Sequence, residues 1–138
     1  MSFAAAIREF FLNNAAIAAQ IGTKLYPYRV EQSVSGDFPA AIYELSLPMP
    51  SKDLSMLNEP HWETELTIAA LSRDYGEAIG IASLFRNAID CYCGLIGATN
   101  VKWVHVLETN MEHETEPEFF AQVVKFTLYT LQEPNFLT

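Results

Sequence analysis

Few residues in this chain stand where chemistry would need them. His113 lies in Asn110-Met111-Glu112-His113-Glu114-Thr115-Glu116, where a histidine is flanked by carboxylates. The residue types suit a metal, but neighbours in an extended loop point apart and no second ligand pair accompanies them. His61 precedes Trp62 at a strand start, and His105 alternates with Val104 and Val106, so both read as structural. The only cysteines, Cys91 and Cys93, are two apart in a stretch read as helix, where such positions point to different sides and a disulfide would be strained. Reduced thiols of a protein made in a cytoplasm are the simpler reading. No serine sits in a Gly-x-Ser-x-Gly setting, and Arg73-Asp74-Tyr75-Gly76 is not a glycine turn that would cradle phosphate. Glu63 and Glu65 share a strand face that solvation explains. The expectation is a protein that is not an enzyme, with no catalytic, cofactor-binding or metal site and no cofactor.

The acids are more informative. The 138 residues hold 17 Asp and Glu against 8 Lys and Arg, a formal charge of −9. That sign argues against a protein that grips nucleic acid by its phosphates. Five acids, Glu108, Glu112, Glu114, Glu116 and Glu118, fall between Lys102 and Lys125 with no Lys or Arg among them. A solvated loop tip accounts for such a run. In a ring, Glu112, Glu114 and Glu116 would instead line a pore and repel DNA phosphates.

The elements that hold these residues follow from periodicity. Half of the chain is apolar and 12% is aromatic, which excludes a disordered chain, and no apolar run is long enough to span a bilayer. Arg8 and Glu9 interrupt the N-terminal MSFAAAIREFFLNN, which lacks the basic start of a signal peptide. Ser2 caps a helix with Phe3, Ile7, Phe10 and Phe11 on its apolar side, Asn14 caps a short second turn, and Gly22 ends it. Leu25 to Val30 is extended, with Pro27 placing it at an edge or bend. Strands follow from Ala40 to about Leu47 and from His61 to Ser72, separated by a loop from Pro48 to about Glu59. Asp74 and Glu77 form a capping box for a helix that runs to about Ile96, and Gly80 in it reads as a site of close backbone packing. The last third is a hairpin: Val101 to Thr109, a connection over Asn110 to Pro117, and a return from Glu118 to Gln132 with apolar residues on both faces. This is one α+β domain over residues 1–138, a mostly antiparallel sheet packed against two helices, with a long C-terminal β-hairpin.

Length turns the hairpin into an argument about assembly. A spherical body of this size is about 37 Å across, whereas a strand over Glu118 to Gln132 measures roughly 50 Å. It must bend, break or project, and a projecting strand with two apolar faces needs a neighbouring subunit to cover it. The candidate interface residues are Phe119, Val123, Tyr129 and Leu131 on the hairpin, with Tyr26, Tyr28 and Val30 at the edge that would accept it by strand addition.

Several phrases resemble the phage tail completion, or tail terminator, family. They are Ile21-Gly22-Thr23-Lys24-Leu25-Tyr26-Pro27 closing the first helical region, the strand Pro39-Ala40-Ala41-Ile42-Tyr43-Glu44, the strand-to-helix passage from Ile68 to Ala82, and the acidic segment Glu112 to Pro117 before the strand Phe119 to Tyr129. The loop from Pro48 to Glu59 and the tyrosine- and cysteine-containing helix end are not matched in that pattern. The resemblance implies a virion protein of the tail or neck, assembled in the host cytoplasm without catalysis or a membrane. It implies a homo-oligomer, a hexameric ring on the head-proximal end of the tail tube, that stops tube polymerisation and joins the head. Its partners would be the tail tube protein and a head-side connector protein, with DNA passing through without specific binding. The alternatives are another neck protein, or a small ligand-binding domain or enzyme.

Overall fold

The computed structural model describes residues 1–27, 38–50, 61–115 and 118–137, with backbone alone at 114 and 115. Among the described residues, three helices cover one face of a mostly antiparallel sheet of seven strands. Tyr28, Val30 and Glu116 lie outside the described residues, as does most of the loop after Pro48.

Polar side chains fix the helix starts. The Ser2 hydroxyl accepts from the Ala5 N–H and opens α1 (Phe3–Leu12). Asn14 Oδ1 accepts from the N–H groups of Ala16 and Ile17 and opens α2 (Ala15–Ile21). Asn13 and Asn14 thus divide what would be one helix into two, so the sheet carries three helices rather than two. Gly22, at φ +62°, ends α2 in the left-handed region that a side chain disfavours. Arg8 then ties α1 to the chain beyond α2: its Nε donates to the Leu25 carbonyl at 2.9 Å and its Nη2 to that of Thr23 at 3.0 Å.

The strands are β1 (Leu25–Pro27), β2 (Ala40–Leu45), β3 (Met49–Pro50), β4 (Trp62–Ser72), β5 (Gly94–Ile96), β6 (Thr99–Thr115) and β7 (Glu118–Thr130). Their order across the sheet is β1-β2-β4-β7-β6-β5, with β3 also pairing β4; β1 runs parallel to its neighbour β2, and the other described pairs are antiparallel. The helix-covered face is built from Ala41, Tyr43, Leu66, Ile68, Ala70, Val101, Val104, Val124, Phe126 and Leu128. Phe11 and Phe85 meet above it with ring centroids 5.0 Å apart, joining α1 to α3 (Tyr75–Ile89).

Four further expectations change. The first concerns α3, which ends at Ile89 instead of running to Ile96: Asp90 leaves the helical region and Cys91 takes φ +61°. Ile89 is the last buried residue of the helix stripe, and the chain then turns back so that Ile96 is buried from β5. Cys91 and Cys93 are therefore exposed free thiols in a turn, not helix residues. Secondly, Gly80 is exposed, and a Cβ there would meet nothing within 4 Å, so close packing is not its role.

The third is the hairpin connection. Asn110 to Thr115 is strand, and only residues 116–117 separate β6 from β7, because Asn110 to Thr115 pair in register with Val123 to Glu118. Finally, β7 does not stand free of the body. Residue for residue, Trp62 to Ser72 of β4 pair with Thr130 to Phe120, and β6 flanks the other side. The sphere was the wrong yardstick: the domain is a slab whose long dimension is the strand direction, roughly 45 Å for a strand of this length. Beyond the last residue of β4, only Glu114–Thr115 and Glu118–Phe119 continue the pairing. Two apolar faces then have an ordinary cause, since the helices cover one face of β7 and Ala121 and Val123 are buried on the other.

Candidate assembly surfaces

Opposite the helices, the sheet has an outer face with two unlike halves. One half is apolar and already covered. Ala40, Ala69, Leu71, Ala121 and Val123 are buried there, packed with Tyr26, Phe38, Ile42 and Phe119. The Phe38 ring lies 5.2 Å from that of Phe119, and the Arg73 guanidinium carbon sits 5.6 Å from the centre of Phe38, a cation–π contact that closes the cluster.

Toward the other end of the strands the outer face is aromatic and acidic. Trp103 stacks on Tyr129 at 5.7 Å and 18°, and His105 leans on Trp103 at 5.4 Å. Buried His61 lies 5.9 Å from Tyr129 on the far side. Glu65, Glu108 and Glu112 are exposed on the same face, where Lys125 reaches Glu108 at 3.2 Å. Trp103 retains 39% of its accessible surface, so part of the indole is exposed.

The sheet's two ends differ. The short strand β1 forms one edge, with Tyr26 half-buried there. At the other, β5 covers β6 only from Thr99 to Val101, and the Cys91 N–H takes the Val104 carbonyl at 3.2 Å. From His105 to Thr115, β6 pairs with β7 alone among the described residues. The edge is long and, among the described residues, not covered by another element; exposed charges and bulges are what blunt it. It is bulged: Lys102 and Leu107 are the extra residues where the register with β7 shifts. The second bulge reverses side-chain parity, so Trp103 and His105 share the outer face with Glu108, Asn110 and Glu112. Leu107, 46% exposed, lies at that bulge.

The expected interface residues are thus dispersed. Phe119 and Val123 belong to the covered apolar half, where Val123 keeps only 9% exposure. Tyr129 is in the aromatic half, and Leu131 follows β7, where its N–H donates to the Asn100 carbonyl. Of the expected pore acids, Glu112 is exposed opposite Ala121 in register, and Glu114 stands opposite Phe119. His113 is on the helix side of the hairpin, stacked on Phe120 at 4.5 Å and 3.8 Å from Glu118, with Tyr75 beyond Phe120. Among the described residues no group of three His, Cys, Asp or Glu is placed to hold a metal ion, and no helix is long and apolar enough to cross a membrane. Sequence reasoning overlooked Trp103 and Leu107. The aromatic at the head of an acidic strand was the signal for Trp103, whereas a bulge leaves no mark in the alternation.

These features define an α+β slab with one long open strand edge. No family model matches the chain, and no curated protein does. Among solved structures it is similar to a chain of "Virion of native gene transfer agent (GTA) particle", with a TM-score of 0.70, 14% identity and 93% of each chain covered. At that identity the likeness is one of fold.

Proposed function

We propose that this chain is a structural protein of a phage-like virion, and specifically a tail terminator. Copies of it form a hexameric ring on the head-proximal end of the tail tube, stop tube polymerisation and offer the surface to which a head-side connector joins. The observation that carries this reading is the fold likeness over 93% of both chains to a chain of a gene transfer agent virion. The order of sequence phrases resembling tail terminators runs in the same direction. A cyclic ring needs heterologous contacts, one patch meeting a different patch on the next copy. Candidates for two such patches are Tyr26 at the β1 edge and, at the aromatic half of the outer face, Tyr129 with Leu131 just after it. The role is structural and non-catalytic, and its place is the virion neck after assembly in the host cytoplasm.

Native mass spectrometry over a range of concentrations, combined with electron microscopy of tail tubes grown with and without the protein, tests this. A ring that caps tubes and fixes their length is the expected result. A strict monomer that fails to bind tube protein refutes the proposal. A ring that binds the neck but leaves tube length free would instead identify another neck protein.

A further inference from the structure

We propose that the open edge of β6 is a docking site for an extended basic segment of a different protein, added as a further strand. The edge from His105 to Thr115 has no pairing partner among the described residues, so its outward N–H and C=O groups offer strand addition. Its outer-face side chains select the occupant. Trp103 presents a partly exposed indole, and Glu108 and Glu112 are exposed carboxylates further along the same sheet face. An incoming strand places alternate side chains about 5 Å from these groups. Arginine satisfies both, by stacking on the indole and by pairing with the carboxylates. Two cations lie nearby: Lys102 at the first bulge, and Lys125, which holds Glu108 from the β7 side. The outer-face acids of β4 and β6, Glu65 and Glu112 among them, outweigh Lys125 along the middle of the strip.

A second copy of this chain does not fit the edge. Antiparallel pairing of two β6 strands about Asn110 would set Glu108 of one copy opposite Glu112 of the other, and like charges in register repel. Nor can a copy supply a basic strand face. No two of its eight Lys and Arg residues stand closer than five positions, the nearest pair being Lys24 and Arg29, an odd spacing that puts them on opposite strand faces. The occupant therefore comes from another protein and carries Arg or Lys at alternate positions. This inference is independent of the ring proposal.

The test uses the whole protein and a labelled decapeptide of alternating Arg and Val, followed by anisotropy and by tryptophan fluorescence. Binding with a fluorescence change that Trp103→Phe removes is expected. The same peptide with Glu for Arg, and the Arg peptide N-methylated throughout, should each bind at least about tenfold more weakly, because one loses the charge match and the other the amide donors. Glu108→Gln with Glu112→Gln should weaken binding about tenfold in a protein that folds normally by circular dichroism. Equal binding of the methylated peptide would reduce the effect to bare charge attraction and overturn the proposal. So would absence of binding, or self-association that the double Gln variant strengthens, since a second copy would then hold the edge.

Discussion

Replacing Gly97 by alanine probes the contact that locks the β5–β6 turn onto α1. Ile96 and Thr99 pair across a two-residue loop, and Gly97 is its first residue at φ +60°, as a type II′ turn requires. A Cβ built there would lie 2.7 Å from the Cβ of Ala6. Two terms add. Holding an L-residue in the left-handed region costs about 1–2 kcal/mol. The methyl must also move by roughly 1 Å to reach ordinary contact distance, an overpacking of about 1–3 kcal/mol. The sum, about 2–5 kcal/mol, is a large part of the roughly 5–15 kcal/mol that holds a domain folded. Urea unfolding of wild type, Gly97→Ala, Ala6→Gly and the double variant separates the terms. Ala6→Gly alone should cost about 1 kcal/mol as a helix glycine. In the double variant the steric term should vanish, giving a coupling of about 1–3 kcal/mol. A Gly97→Ala protein as stable as wild type, or an additive cycle, would refute this account.

Two further outcomes follow from the same structure. Gly80→Ala, at an exposed helix position with open space around the new methyl, should stabilise the protein by about 1 kcal/mol, read as a higher urea midpoint with unchanged slope. A loss of stability would mean that some contact does need this glycine. Burial pushes the Tyr43 hydroxyl above its ordinary value of 10, and the Arg8 charge partly opposes the rise. The folded state thus binds this proton more tightly than the unfolded chain. Its contribution is fully present below about pH 10 and is lost as pH climbs through the folded-state value. The urea midpoint of wild type should then fall more steeply above pH 10 than that of Tyr43→Phe, and parallel curves would contradict the assignment.

The helical caps were legible because they are local. Ser2, Asn14 and Asp74 each accept from a backbone N–H two or three residues ahead, and such geometry is set by the chain itself. The capping box at Asp74 was half right. Glu77 does stand three residues on, but its carboxylate accepts from the Ser72 hydroxyl at 2.7 Å, and Ser72 in turn takes the Asp74 N–H. The face assignments in β7 also followed from period-two alternation, with Phe120, Val124, Phe126 and Leu128 on one side and Phe119, Val123 and Tyr129 on the other. The end of α3 was less accessible, since Asp90, Cys91, Tyr92 and Cys93 carry no strong breaker.

The candidate surfaces depended on which strands became neighbours. Residue order alone determined an acidic α+β domain, its helix starts, its final hairpin and the greasiness of both faces of β7, because composition, caps and alternation are properties of short stretches. Tertiary structure decided what that greasiness was for. By setting β7 between β4 and β6 it paired both edges of that strand, buried one face under the helices and much of the other in the outer apolar cluster, and moved the free edge one strand outward to β6. It also placed a bulge at Leu107, which brought Trp103 and His105 onto the same face as Glu108 and Glu112. A bulge is a mismatch between two strands, so no single strand's sequence records it, and the acidic edge that it shapes became visible only once the sheet was assembled.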